Sequence, residues 1–116
     1  MRIDGPAVRV RIYIGEADHH DGRSLYQAIV ALLRERGMAG ATVLRGIEGF
    51  GAEAHLHTTR LLRLSEDLPI VIEVVDQEDR VRVVLPELDE MVGDGLITLE
   101  KVEVLGDRGN RTGEAR

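Results

Sequence analysis

Thr42-Val43-Leu44-Arg45-Gly46-Ile47-Glu48-Gly49-Phe50-Gly51 is a β-branched segment that runs straight into three glycines in six positions. Its first part reads as a short strand, Ala41 to Arg45. Its second part gives the backbone conformations that other residues reach at a cost, and clears room for a ligand or a second chain to approach the main chain. From Gly46 to Leu68 there is no further strand signal, and a connection that long in so small a domain is functional or disordered. Leu and His are too frequent in it for simple disorder.

Working outward, Val8, Val10, Ile12 and Ile14 alternate with Arg9, Arg11 and Tyr13, a period of two that predicts a strand with one face in the core. Gly15 to Gly22 is a polar, turn-rich connection placed on the surface. Ser24 and Gln27 form a capping-box pair, and Leu25, Ala28, Ile29, Leu32 and Leu33 recur at helical spacing, so the first helix is expected over Ser24 to Arg36. Gly37 stands where a left-handed cap belongs.

Beyond the long loop, Pro69 opens Ile70-Val71-Ile72-Glu73-Val74-Val75, apolar on nearly both sides and therefore a central strand. Asp76 reads as the N-cap of a second helix whose inner stripe is Val81, Val84, Leu85, Leu88 and Met91. Pro86 inside that stripe predicts a kink or a restart, because an interior proline removes a backbone hydrogen bond and costs roughly 3 kcal/mol. Gly93-Asp94-Gly95 turns the chain into a last strand, Leu96 to Leu105.

The order is βαββαβ, which implies an α+β, ferredoxin-like fold: a four-stranded antiparallel sheet with two helices on one face and a long loop after strand 2. One domain is expected over 1–105, with a flexible C-terminal tail over 106–116. The other face of the sheet has no helical cover. Since Val71 and Val75 put apolar side chains there, the economical solution is a closed homo-oligomer, most simply a homotrimer.

Composition bounds the function. With 15 basic and 21 acidic residues the net charge is −6, which disfavours duplex DNA and anionic membrane as partners. Aromatics are 3% with no Trp, too few for a base-stacking platform on single-stranded nucleic acid. Without cysteine there is no disulfide, thiolate metal site or cysteine nucleophile, and no apolar run approaches the roughly 20 residues a membrane span needs. The expected location is the cytoplasm, with no direct membrane insertion.

The candidate residues fall into three groups. Amides of Gly49 to Gly51 can form a concave donor surface for a phosphate or carboxylate, or the glycines can serve only a tight strand exit. Arg45, Arg60 and Arg63 could supply charge for a phosphate, or form exposed ion pairs of little worth. His55 and His57, two apart on an extended segment, could share a metal with Asp18 or His19, or be solvated loop histidines. The carboxylates around Ser65-Glu66-Asp67 and Asp76 to Asp79 sit where turns and caps need them, and those of Glu87 to Glu90 lie on an exposed helix face. No accompanying base or oxyanion pattern points to an enzyme. Ala52 to Leu64, with Leu56, Leu61 and Leu64, can dock on a partner or on the protein's own assembly.

Several motifs together carry a family resemblance: Ile12-Tyr13-Ile14-Gly15-Glu16, Arg45 to Gly51, His55-Leu56-His57, Leu68-Pro69-Ile70-Val71 and Glu73-Val74-Val75-Asp76. From about Val8 to Leu105 the chain resembles the PII-like family known as domain of unknown function 190, within the PII signal-transduction superfamily. The resemblance implies a ferredoxin-like homotrimer that binds adenine nucleotides (AMP, ADP or ATP) in clefts between subunits and reaches a partner protein through the loop that corresponds to the T-loop. That partner, a membrane transporter or an enzyme, is unidentified. By position, Gly49-Phe50-Gly51 matches the Gly-Phe-Gly at the base of that loop and Gly93-Asp94-Gly95 the Gly-Asp-Gly turn. The ligand-binding set this implies is Arg45, Gly46, Gly49, Phe50, Gly51, Gly93, Asp94 and Gly95, with His55, His57, Arg60 and Arg63 on the partner loop.

Two departures stand out. Leu96 occupies the position of a phosphate-holding lysine, and Glu100, Lys101 and Glu103 stand where PII has paired arginines. The alternative within the same fold is a divalent-metal-binding trimer of the cation-tolerance type, using the loop histidines.

Overall fold

In the computed structural model, residues 3, 5–51 and 67–108 are described. The elements run β1 (Gly5–Gly15), β2 (His19–His20), β3 (Arg23–Ser24), α1 (Leu25–Glu35), β4 (Thr42–Arg45), β5 (Pro69–Asp76), α2 (Glu78–Val92) and β6 (Leu96–Val104). Four of the strands form one antiparallel sheet in the order β4-β5-β1-β6. This is the ferredoxin-like arrangement expected from the element order.

β1 is the spine of the sheet. It pairs with β5 from Val8↔Asp76 to Gly15↔Pro69 and with β6 from Gly5↔Val104 to Tyr13↔Leu96. Its even positions, Val8, Val10, Ile12 and Ile14, join Ile70, Ile72 and Val74 of β5 in the core beneath the helices. Leu25, Ile29 and Leu33 of α1 and Val81, Val84, Leu88 and Val92 of α2 close that core from above. Each of these side chains contributes roughly 1.5–3 kcal/mol by burial, which is why the period-two and helical stripes specify the layers.

The helix ends differ in part from expectation. The capping box is absent: Ser24 makes no side-chain cap bond. It is drawn instead into a two-residue hairpin, pairing with His19, and Leu25 N–H donates to the Asp18 carbonyl at 2.8 Å. Asp21 (φ 49°) and Gly22 (φ 83°) make that hairpin's turn, as an Asp-Gly pair favours. At the other end Gly37 (φ 76°) does cap α1, with its N–H on Arg34 O and Met38 N–H on Leu33 O, both at 3.0 Å.

Asp76 is not the N-cap of α2; that position is Gln77. Being an even-numbered residue of β5 it points into the helix-covered side, where it is fully buried. There its carboxylate accepts Ala39 N–H (2.8 Å), Gln77 N–H (2.7 Å) and Arg80 Nε–H (3.1 Å). Arg80 donates onward to the Gly37 carbonyl. The knot ties the exit of α1 to the entry of α2.

The predicted restart at Pro86 does not occur, since α2 is one uninterrupted element. Val81 and Val84 before the proline and Leu88 and Val92 after it are all buried. Packing on both sides thus outweighs the local cost of the missing hydrogen bond.

Among the described residues no helix covers the opposite sheet face. Arg9, Arg11 and Tyr13 of β1 lie there beside Val71, Glu73 and Val75 of β5. Arg9 pairs with Glu100 (2.8 Å), and Arg11 with both Glu73 (2.8 Å) and Glu100 (3.2 Å). The face is therefore a charge-neutral ladder flanked by half-exposed Tyr13, Leu44 and Leu96, with the expected Val71 and Val75 beside it. Past the expected domain boundary, Asp107 is buried and accepts the Ile3 N–H at 2.8 Å. The remainder of the expected tail, residues 109–116, lies outside the described residues. No helix among the described residues is long and apolar enough to cross a membrane.

Candidate functional site

The carboxyl end of β1 and the loops beside it hold most of the residues that the sequence singled out. On one flank β4 ends at Arg45, and Gly46 N–H donates to the Pro69 carbonyl at 2.7 Å. A Cβ at Gly46 would stand 2.8 Å from the Pro69 ring and one at Gly49 3.1 Å from it. These two glycines are needed so that the loop can lie against the proline, and none of the loop's glycines has a positive φ. The requirement is close approach rather than left-handed geometry. A Cβ at Gly51 would meet nothing within 4 Å. Ile47 and Phe50 project outward, 93% and 92% exposed.

On the other flank, Gly93 (φ 62°) and exposed Asp94 lead into Gly95. A Cβ on Gly95 would fall 2.5 Å from the Tyr13 carbonyl and 2.6 Å from Val92, so this glycine lets the turn press on the end of β1. The two turns thus share one end of the sheet but sit at its opposite edges, with β5 and β1 between β4 and β6. Three strand spacings are about 14 Å. Within one chain Arg45, Gly46, Gly49, Phe50 and Gly51 are brought together, Gly93, Asp94 and Gly95 form a second group, and the two groups do not converge.

Between them lies an acidic cluster of which the residue patterns singled out only Asp18, as a possible metal ligand. Arg45 donates from Nε (3.1 Å) and Nη2 (3.0 Å) to one oxygen of Glu16, whose own N–H is fixed on the Leu68 carbonyl at 2.8 Å. Asp67 accepts the Ala17 N–H at 3.0 Å and Asp18 the Gly15 N–H at 2.9 Å. Arg45 and Glu16 are separated by 29 positions, so the pair leaves no local signal; Glu16 appears in the sequence only as the end of the Ile12 to Glu16 motif.

His55, His57, Arg60, Arg63, Ser65 and Glu66 lie outside the described residues. Among the described residues no three His, Asp or Glu side chains are grouped to hold a metal ion, and Asp18 is engaged with the backbone. His19 is exposed on β2, and His20 lies near Asp21 at 3.4 Å. Two shallow depressions occur on the helix layer, one of them floored by Ala28, Leu32 and Met91, remote from the glycine turns.

The family model DUF190, Uncharacterized ACR, matches residues 7–104. A UPF0166 protein of Aquifex aeolicus (strain VF5) is 36% identical over 96 residues, spanning 83% of this chain and 90% of that protein. A UPF0166 protein of Methanocaldococcus jannaschii is 38% identical over 96 residues, spanning 82% and 88%. Among solved structures the chain is similar to CPII of Thiomonas intermedia K12, a nitrogen regulatory PII-like protein. The form of CPII bound to ADP, AMP and bicarbonate matches with a TM-score of 0.61 at 20% identity, over 85% of this chain and 88% of that one. The apo form matches with 0.60 at 18% identity, over 88% and 94%. The fold is thus shared with PII-like proteins.

Proposed function

This chain belongs to the DUF190 family, and on that premise we propose that it is a PII-like signalling protein: a homotrimer that binds an adenine nucleotide between subunits and reports its occupancy to a partner protein. The observation that carries the proposal is the placement of the two glycine turns. They lie at one end of the sheet but at opposite edges, about three strand spacings or 14 Å apart, with β5 and β1 between them. Bringing the β4 edge of one subunit to the β6 edge of the next would complete a cleft with Gly49 to Gly51 on one wall and Gly93 to Gly95 on the other.

In this reading the sheet face opposite α1 and α2, with its internally neutralised ladder and half-exposed Tyr13, Leu44 and Leu96, is the surface between subunits. Exposed Phe50 offers a face for an adenine ring, and Arg45 offers charge to a phosphate. That CPII has been solved with ADP and AMP supports the choice of ligand. Residues 52–66 would contact the partner, and a signal passes only if nucleotide binds two loop arrangements with different affinity. The protein catalyses nothing in this role; it binds and reports.

Sedimentation velocity and calorimetric titration test the proposal together. We expect a particle of three times 12.8 kDa and saturable heat with AMP, ADP or ATP. A monomer at micromolar concentration, or silence with all three nucleotides, rejects it.

A further inference from the structure

We infer that Glu16 is a built-in competitor for the ligand's phosphate, a residue that sets which nucleotides the site accepts and how tightly. The inference rests on the nucleotide reading above and deepens it. Arg45 is the candidate phosphate cation among the described residues of the loop base, and both its Nε and its Nη2 are spent on a single carboxylate oxygen of Glu16, at 3.1 and 3.0 Å. Glu16 is the more enclosed partner, its side chain 26% exposed against 51% for Arg45. Its backbone is held on the Leu68 carbonyl at 2.8 Å, so the carboxylate is presented from an anchored main chain to the more exposed arginine.

The surroundings reinforce the sign. Glu48 lies on the glycine loop and Asp18 and Asp67 flank the end of β1, so Glu16 is one of several carboxylates on this edge. A phosphate that takes the Nε and Nη2 donors from Glu16 leaves beside it an uncompensated carboxylate of its own sign. Each added phosphate charge meets that repulsion, whereas a nucleoside without phosphate does not. The result is a site graded by ligand charge, in which phosphate and Glu16 compete for the Arg45 guanidinium.

The test is calorimetric titration of the full chain, wild type and Glu16→Gln, with ADP and with adenosine. Glu16→Ala serves as a second charge-removing variant, and thermal melts verify that each is folded. We expect ADP to bind at least tenfold more tightly to both variants, with adenosine unaffected; ADP binding seen only in the variants supports the inference equally. Wild-type ADP binding that the variants leave unchanged or weaken overturns the competitor role and leaves the nucleotide proposal standing. An equal gain for adenosine overturns it too, because the effect is then not one of charge. Absence of ADP binding in all three proteins overturns the competitor role, and the nucleotide proposal falls with it if AMP and ATP are silent as well.

Discussion

The Glu73 carboxylate accepts from Arg11 Nε at 2.8 Å, directly across the β1–β5 register and on the sheet face opposite α1 and α2. Arg11 also reaches Glu100 on β6, so one guanidinium links three strands. If this face is the subunit surface, the pair loses water on assembly, and a partner left alone there costs far more than it does on an exposed sheet. Arg11→Ala is therefore expected to weaken self-association by roughly tenfold or more. Sedimentation equilibrium measures it. An unchanged association constant would place the ladder outside the interface.

The acid limb of stability should carry the signature of the same ladder. Glu100 is held below the ordinary carboxylate value by a hydrogen bond and then by charge from Arg9, and Glu87 likewise by Arg36. Both groups bind protons less readily when folded than when unfolded. Their contribution is therefore complete above the unfolded value, about 4.3 for Glu, and is lost as pH falls through the lowered folded value. In thermal melts the gap between wild type and Glu100→Gln should stay constant from pH 7 to 5 and close below about pH 4. A gap that widens on acidification contradicts this assignment.

Asp76→Ala should be among the most damaging single changes to the fold. It strands Ala39 N–H, Gln77 N–H and the Arg80 guanidinium around a site that is fully buried, for a loss of about 3–5 kcal/mol. Asp76→Asn keeps an acceptor and should cost less. Guanidinium denaturation gives both numbers; a loss under about 1 kcal/mol for the alanine would mean that water replaces the carboxylate.

The glycine turns should separate into structural and ligand-facing members. Gly95→Ala drives a methyl into the Tyr13 carbonyl and Val92, at an expected cost of about 1–3 kcal/mol. Gly51→Ala meets nothing and should leave stability within about 0.5 kcal/mol while altering nucleotide affinity. Denaturation and titration of the same two samples decide it.

Arg45→Ala should weaken ADP binding about tenfold and spare adenosine, whereas Phe50→Ala should weaken both by a similar factor through lost stacking. Competition titrations distinguish them. Equal effects of the two changes on adenosine would remove the separate roles given to charge and ring.

The layers of this fold could be read in advance because each strand or helix states its own buried side: Val8 to Ile14 by alternation, Ile29 and Leu33 or Val84 and Leu88 by helical spacing. Gly37 was legible for the same reason, since its left-handed cap answers only to the preceding turn. What stayed hidden depends on distant partners. Asp76 looks like a cap from its neighbours, yet its carboxylate serves an amide 37 positions away. Gly46 and Gly49 look like freedom for the backbone, yet they make way for Pro69. Ser24 matches a capping pattern that a two-residue hairpin, too short to show a period, overrides. Glu16 could not be matched to Arg45 at all, because an ion pair across 29 positions has no sequence periodicity.

The bond between Ile3 N–H and the Asp107 carboxylate places these two residues beside the start of β1, where Gly5 faces Val104. Ten residue steps of extended chain, about 33 Å, separate that corner from Gly15 and the glycine turns. A fluorophore placed beside Ile3 or Asp107 would therefore start about 33 Å from the glycine turns, and such dyes would follow assembly of the proposed trimer without occupying its proposed pocket.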